Sequence, residues 1–389
     1  MSRFADHKAP LLAGTVASIT GTAASAGLVL TALTALGATS AQTASAIFVL
    51  IAMYGLLSIA LSTRYKMPIS IVWSTPGAAL LISSGKLHLP FSSAVGAFII
   101  TGALLLLTGL WPALGRLVSS IPKPIASAML AGVIFNFCIA PFQSAADYPW
   151  IVLPAILVWL VLYRYATIWA TPAAMVIIFT LTAINRGITI GASNLLPHIE
   201  FVAPTFEWRA IISVAIPLYL VTMASQNIPG VAIMKSFGYE VPFKQVMTAT
   251  GLSAIFAGFF GGFSMNLAAI TAALNANDHA HKDPKRRWLS SVYGGYVYLI
   301  IAMLAVPTVA FVLQAPKELV LAAAGLALLG TIISALSAAV EVVELRLPAM
   351  VAFLVAASGV AAFGIGSAFW ALIAGLIVWG WLNFRAKQK

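Results

Sequence analysis

The residues best suited to chemistry are Ser74, Thr75, Pro76 and Gly77, which interrupt an apolar stretch of the chain. The β-branched and aromatic run before them favours a strand, and Thr75 as N-cap with Pro76 at the first helical position favours a helix after them. A helix N-terminus presents unpaired N–H groups and partial positive charge, so it binds anions without a basic side chain. Gly77 would let a ligand approach the backbone closely.

A second interruption follows Gly261-Gly262 and consists of Ser264, Met265, Asn266 and Leu267. We expect Ser264 to cap a second half-helix, Asn266 to offer an amide donor and acceptor, and Met265 to contact an aromatic ring. The alternative is tight helix packing through the glycines.

Three consecutive polar residues, Ser225, Gln226 and Asn227, precede Pro229-Gly230 in another apolar segment. Polar groups inside a membrane helix are costly unless they face a partner or a cavity. We therefore predict that these three residues contact the substrate and that Gln226 is a stronger candidate than Asn227. A structural hydrogen-bond network between helices is the rival interpretation.

An aromatic ligand also needs an apolar pocket with stacking partners. Trp73 and Tyr219 lie close in sequence to the polar clusters, and Ser25 lies in the first apolar segment. We predict that these three residues line the same cavity. Simple packing in the core is the alternative for each.

The composition indicates a membrane protein. Apolar residues make up 61% of the 389 residues and charged residues 8%, whereas a soluble domain carries about 25% charged residues. The net charge of +11 comes from basic residues scattered over short loops, which favours anionic lipid contacts over nucleic acid. The single cysteine, Cys138, excludes an intrachain disulfide.

Apolar runs separated by polar or Pro/Gly breaks predict fourteen membrane-spanning segments. Several are shorter than the roughly 20 residues that a full span needs, so twelve is the competing count. The predicted segments are 11–36, 40–62, 68–85, 92–115, 122–143, 148–163, 167–185, 209–230, 243–260, 262–276, 287–312, 318–340, 347–364 and 367–384.

The basic residues favour fourteen. With both termini in the cytoplasm, seventeen of the 21 Lys and Arg residues lie on the cytoplasmic side, as the positive-inside rule requires. Arg3 and Lys8 lead directly into the first apolar run, which predicts an uncleaved first helix. The basic residues predicted to lie outside are Lys86, Arg186, Arg209 and Lys317.

The chain also repeats weakly. Ser74 and Ser264 are 190 residues apart, and Pro122-Lys123 and Pro316-Lys317 are 194 residues apart. Because seven is an odd number, the second half must be inverted in the membrane. We predict a single-domain, all-α polytopic protein with a 7+7 inverted repeat, about 9–186 and 208–385, whose segments 3 and 10 are each broken into a short strand and a half-helix.

Several long strings resemble the BenE-type benzoate:proton symporter family. They are WSTPGAALL (73–81), LVTMASQNIPGVAIMKSFGY (220–239), HKDPKRRWL (281–289) and VAFLVAASGVAAFGIGSAFWALIAG (351–375). The resemblance extends from the first segment to the last.

The resemblance implies proton-coupled uptake of benzoate, or a similar aromatic carboxylate, across a bacterial inner membrane. It also implies the fold of nucleobase, sulfate and bicarbonate transporters, in which segments 3 and 10 meet at the substrate. The expected division is a core of segments 1–4 and 8–11 and a gate of segments 5–7 and 12–14. The related nucleobase carriers have an acid in segment 8, where this chain has amides.

The proton path is not evident from the sequence. None of the ten acidic residues lies in the middle of a predicted span. Glu341 and Glu344 lie near the inner end of segment 12, and Asp278, His279 and His281 lie in a basic cytoplasmic loop. One hypothesis is that the substrate carries the proton, because a carboxyl group titrates at roughly 4.

Three other functions stay open at this stage: a carrier for another organic anion or a nucleobase, an anion channel on the same fold, and a membrane enzyme. The missing acid in segment 8 argues against a nucleobase carrier. The lack of basic residues within the spans argues against a channel, and the lack of a catalytic motif argues against an enzyme. We expect no metal and no cofactor, contacts with membrane lipids, and a homodimer by analogy with the fold.

Overall fold

The computed structural model describes residues 2–23, 25–188, 196–268, 270–363 and 365–386. Helices dominate, and a two-stranded sheet lies between the halves. The first half comprises α1 (Ser2–Ala23), α2 (Ala26–Ala35), α3 (Ser40–Tyr65), β1 (Ile71–Trp73), α4 (Thr75–Ser84), α5 (Phe91–Leu110), α6 (Pro112–Ser119), α7 (Lys123–Asp147), α8 (Pro149–Tyr165) and α9 (Thr167–Arg186).

The second half begins with one long helix, α10 (Trp208–Ser236), which contains two π-helical stretches, Ile211–Ala215 and Met223–Asn227. It continues with α11 (Phe243–Gly258), β2 (Met265–Leu267), α12 (Ile270–Ala276), α13 (Trp288–Ala302), α14 (Ala305–Gln314), α15 (Lys317–Val340), α16 (Arg346–Ser358) and α17 (Ser367–Ala386).

These elements occupy the fourteen predicted segments in order. By length and hydropathy, six helices among the described residues are suited to cross a membrane, or seven when α13 and α14, bent by 57°, count as one span. The short helices α8 and α17 and the broken segments fall outside that test. Fourteen crossings therefore stays a prediction.

The packing of helix pairs follows a two-fold relation between the halves. Helices α5 and α11 (segments 4 and 9) pack together, and so do α3 and α13 (segments 2 and 11). In the first half α8 packs on α9, and in the second half their counterparts α16 and α17 pack on each other. Helix α7 packs on its own counterpart, α15. Exchanging the halves maps the α5–α11 pair onto α13–α3, the α8–α9 pair onto α16–α17, and the α7–α15 pair onto itself, which is consistent with a 7+7 repeat.

Small residues allow several of these helices to approach closely, as is common in membranes. A β-carbon on Gly102 of α5 would lie 2.7 Å from the backbone nitrogen of Ile255 in α11. A β-carbon on Gly55 of α3 would lie 2.9 Å from the carbonyl oxygen of Gly295 in α13. Glycine at these positions therefore sets the distance between the paired helices.

The two broken segments meet as an antiparallel pair of strands. Ile71 lies opposite Leu267, and Trp73 lies opposite Met265. The pairing extends by one hydrogen bond, from the Ala268 N–H to the Ser70 carbonyl at 2.8 Å. The predicted strand-plus-helix form of segments 3 and 10 is confirmed.

Side chains of neighbouring helices complete the hydrogen bonding of these strands. The Ser58 hydroxyl of α3 accepts from the Ile71 N–H at 2.9 Å, and the Asn227 side-chain oxygen of α10 accepts from the Leu267 N–H at 2.9 Å. Lipid offers no partner to a backbone N–H group, so each bond prevents a penalty of several kcal/mol. The sheet is thereby fixed to α3 and α10.

We predict that Asn227→Ala lowers the free energy of unfolding by about 1–3 kcal/mol, because the buried Leu267 N–H loses its acceptor. Gln226→Ala is the matched control, since its amide makes no hydrogen bond with the described residues. Thermal unfolding of the purified proteins in detergent measures the difference. Equal unfolding temperatures for the two variants would show that Asn227 does not anchor the strand.

Candidate substrate site

A cavity of about 320 Å³ lies at the N-terminal end of α4. One wall comes from α1, β1, α10 and α12, together with tyrosines of α3 and α13, and the opposite wall comes from α8, α9 and α15. Four of the predicted site residues line it: Ser25, Trp73, Thr75 and Gln226. The cavity therefore brings together residues that are 200 positions apart in the chain.

Thr75 provides the free hydrogen-bond donors of the α4 N-terminus. The Gly77 N–H donates to the Ser74 hydroxyl at 3.0 Å, the Ala78 N–H donates to the Ser74 carbonyl at 2.8 Å, and Pro76 has no N–H. The Thr75 N–H and hydroxyl have no partner among the described residues, and Thr75 lines the cavity. Free N–H and O–H donors at a helix N-terminus are suited to an anionic group.

Two expectations about this turn were wrong. Ser74, rather than Thr75, is the N-cap, because the extended backbone of Ser74 directs its hydroxyl to the Gly77 N–H. Gly77 serves packing rather than ligand approach, since a β-carbon there would lie 2.6 Å from the Leu218 side chain. Ser74 and Pro76 are buried and do not line the cavity.

The polar triple of α10 divides into three roles. Gln226 lines the cavity, and its amide makes no hydrogen bond to the described residues. The Ser225 hydroxyl donates to the Val221 carbonyl of its own helix, and Asn227 holds β2. The rival interpretation of a structural network between segments therefore applies to Asn227, whereas Ser225 bonds within its own helix.

Tyr219 does not line the cavity, contrary to expectation. Its hydroxyl is hydrogen-bonded to the Thr108 hydroxyl of α5 at 2.5 Å, and its side chain is buried. Tyr219 and Gln226, seven residues apart, would share a face of a regular α-helix. The π-helical stretch Met223–Asn227 begins after Tyr219 and contains Gln226, so the two side chains lie on different faces of α10.

The second polar cluster is buried in the sheet rather than exposed to the cavity. Ser264 precedes β2 and does not cap α12; its hydroxyl pairs with that of Thr222 at 2.9 Å. Met265 and Leu267 are fully buried. The Asn266 amide donates to the Leu267 carbonyl at 3.1 Å, while its oxygen has no partner among the described residues. Met265 does not line this cavity, so it cannot make the expected contact with an aromatic ligand there.

The aromatic wall is built around Trp73. Its indole N–H donates to the Ser25 hydroxyl at 2.8 Å, which fixes the ring. Tyr54 meets Trp73 edge to face at a centroid distance of 5.6 Å, and Tyr298 meets Tyr54 at 4.8 Å. All four residues line the cavity, so it has a large apolar surface on this side.

Sequence reasoning missed several lining residues. Thr20 and Thr22 present buried side chains to the cavity, and the Thr20 hydroxyl has no partner among the described residues. Trp159 and Tyr163 of α8 stack at 4.9 Å on the opposite wall. The sequence Thr20-Gly21-Thr22 inside the first span was an available signal, because polar residues there need a partner.

No Asp, Glu, His, Lys or Arg lines this cavity among the residues that the structure describes. Glu341 forms an exposed ion pair with Lys123 at 3.6 Å, and Glu344 is exposed. Asp278 pairs with Arg287, which is buried and also donates to the His281 carbonyl. The described residues hold no group of three or more potential metal-ligating His, Cys, Asp or Glu side chains.

Comparison with known proteins places these features in a family. Residues 5–380 match the family model BenE, "Benzoate membrane transport protein". The chain is 38% identical over 380 residues to the inner membrane protein YdcO of Escherichia coli (strain K12), covering 97% of both chains. It is 33% identical over 323 residues to the benzoate membrane transport protein of Acinetobacter baylyi, covering 82% of this chain and 81% of that protein.

Solved structures show the same fold. The transmembrane domain of the cyanobacterial bicarbonate transporter BicA has a TM-score of 0.60 at 16% identity, covering 94% of this chain and 97% of that one. Murine Slc26a9, an anion transporter solved in the inward-facing state, has a TM-score of 0.60 at 14% identity, covering 97% of this chain and 68% of that one. This is the predicted 7+7 fold. The chain therefore belongs to the BenE family of membrane transporters.

Proposed function

We propose that this transporter is a symporter that carries benzoate, or a similar aromatic carboxylate, into the cytoplasm together with a proton. The observation that carries the proposal is one uncharged cavity that combines a helix N-terminus with an aromatic wall. The name of the Acinetobacter relative supports benzoate as the substrate. The relative from Escherichia coli supports a bacterial inner membrane location, and the distribution of basic residues supports cytoplasmic termini.

The carboxylate would bind at the N-terminal end of α4. Thr75 supplies an N–H group and a hydroxyl, and Gln226 supplies an amide from α10. Hydrogen bonds to an ionised group contribute about 1.5–3 kcal/mol each. The α4 dipole adds favourable partial charge at the same position.

The ring would lie against Trp73, with Tyr54 and Tyr298 behind it and the Trp159–Tyr163 stack opposite. Aromatic pairs favour offset or edge-to-face contacts, which this arrangement of rings offers to a phenyl group. The volume of about 320 Å³ lies at the small end of the usual range for ligand sites, about 300–1,000 Å³. A single aromatic ring is therefore a better match than a larger ligand.

The hydrogen bonds between segments support the division into core and gate. Core segments are joined by Trp73–Ser25, Leu267–Asn227 and Thr222–Ser264. Gate segments are joined by bonds from Ser144 to the Glu318 carbonyl and from Asn136 to the Ala357 carbonyl. The cavity lies between these two groups, so a relative movement would change access to the substrate.

The substrate itself would carry the coupled proton. The described lining of the cavity contains no Asp, Glu, His, Lys or Arg, whereas the carboxyl group of the substrate titrates at roughly 4. The carboxylate would take up a proton from water on the acidic side and return it to water in the cytoplasm, so no proton-accepting side chain is needed. This mechanism would allow coupling in a chain whose described acidic side chains lie outside the cavity.

We predict that proteoliposomes accumulate radiolabelled benzoate when the outside is acidic, with one proton moved per benzoate. The Glu341→Gln/Glu344→Gln double variant should keep this stoichiometry, because neither carboxylate reaches the cavity. Parallel measurements of pH and of label in the same vesicles give the ratio. Loss of coupling in the double variant would contradict a substrate-borne proton, and flux without accumulation would indicate a channel.

We predict that Thr75→Val raises KM for benzoate about 10- to 100-fold, the range expected for losing one hydrogen bond to a charged group. Gln226→Leu should act in the same direction. Thr75→Ser keeps the hydroxyl and should retain affinity. Tyr219→Phe, a neighbour outside the cavity, should leave KM unchanged; a larger effect for Tyr219→Phe than for Thr75→Val would place the carboxylate elsewhere.

A further inference from the structure

A second cavity, of about 290 Å³, surrounds the C-terminal end of α4. Ser83, Ser84 and Lys86 line it from the α4 side. Helices α7 and α15 and the connection between α16 and α17 enclose it from the other side. None of these residues contributes to the proposed benzoate site.

Two helices show that the cavities lie at different depths. Along α10, Ser213 lines the second cavity and Gln226 the first; along α15, Leu321 lines the second and Gly330 the first. At a rise of about 1.5 Å per residue, Ser213 and Gln226 are about 20 Å apart along α10. Leu321 and Gly330 are about 14 Å apart along α15. The cavities therefore lie toward opposite faces of the membrane.

The middle of α4 separates the two cavities. Thr75 at its beginning lines the first cavity, and Ser83 near its end lines the second. The four residues Ala78, Ala79, Leu80 and Leu81 between them have no exposed surface. The second cavity is thus positioned as the approach to the benzoate site from the other face of the membrane.

Lys86 gives the second cavity its charge. It is the one cationic residue among the described lining residues, and none of those is acidic. Its side chain is exposed and forms no ion pair with the described residues. The Gln143 amide on α7 adds a second donor that makes no hydrogen bond among the described residues. The formal charge of the described lining is therefore positive and comes from Lys86 alone.

A purely structural role for Lys86 is the competing explanation. Its ammonium lies beside Gly359, where a β-carbon would be 3.3 Å from Nζ, at the C-terminal end of α16. A cation at a helix C-terminus stabilises the helix. That role would affect stability, but it would not make the affinity for an anionic substrate depend on salt.

We infer that the second cavity is the vestibule through which the aromatic carboxylate reaches its site from the periplasm, and that Lys86 recruits the anion there. The inference rests on the proposed transport of an aromatic carboxylate. The predicted position of Lys86 outside the cytoplasm fits this direction of access. A surface cation focuses anions at the mouth of a low-dielectric cleft.

We predict that Lys86→Gln raises KM for benzoate uptake about threefold at low salt, the effect of removing one unit charge about 6 Å away in water. The maximal rate should not change. At about 1 M salt the Debye length falls to about 3 Å, so the variant and the wild type should converge. Initial uptake rates in proteoliposomes at about 10 mM and about 1 M salt measure both effects.

Two variants serve as controls for the charge. Lys86→Arg keeps the cation and should behave as the wild type. Lys317→Gln removes an exposed cation predicted on the same face but outside the cavity, and should leave KM unchanged. A lower unfolding temperature for Lys86→Gln with no salt-dependent change in KM would overturn the recruiting role.

Cysteine labelling tests the vestibule without requiring transport. The only cysteine, Cys138, is buried, so Cys138→Ala provides a background for Ser83→Cys and Thr331→Cys. A membrane-impermeant thiol reagent should modify Ser83→Cys from the periplasmic side of oriented vesicles and Thr331→Cys from the cytoplasmic side. Modification of Ser83→Cys only from the cytoplasmic side would overturn the vestibule. Absence of benzoate uptake by the wild type would instead refute the proposed function.

Discussion

The pairing of β1 with β2 is the interaction on which the rest of the structure depends. Two segments stop being helical at the same depth, in a medium that offers no water to unpaired backbone groups. Each strand satisfies the other, and Ser58 and Asn227 provide the remaining acceptors. Because the strands are fixed in this way, α4 can begin inside the protein with its N-terminus facing a cavity.

A helix N-terminus that faces the cavity would let the proposed site bind an anion without a basic residue. A lysine or arginine in a medium of low dielectric constant would hold a carboxylate strongly, and a carrier must also release its substrate. The partial charge of a helix end, with the Thr75 donors and the Gln226 amide, provides a weaker attraction. The Trp73 wall would then distinguish the proposed aromatic carboxylate from a small inorganic anion.

Local signals in the sequence predicted the broken segments and the cavity position of Thr75 and Gln226, whereas the meeting of segments 3 and 10 was implied by the family resemblance. They failed where the outcome depends on packing or helical phase. Gly77 is required by Leu218 of another helix, and the π-helical stretch in α10 separates the faces of Tyr219 and Gln226. Neither partner is visible in the neighbouring sequence. Thr20 was missed because a threonine hydroxyl in a membrane helix commonly bonds to a carbonyl of its own helix, whereas the Thr20 hydroxyl has no partner among the described residues.

The proposed core and gate explain why both cavities can serve one substrate. Both lie between the two groups of helices, at opposite ends of α4. The hydrogen bonds that hold β1 and β2 join core segments, so the sheet and α4 would move together with α3 and α10. A shift of this unit along α7 and α15 would open one cavity as it closes the other. The buried residues of α4, Ala78 to Leu81, would then block a continuous pore in both positions, which a coupled carrier requires.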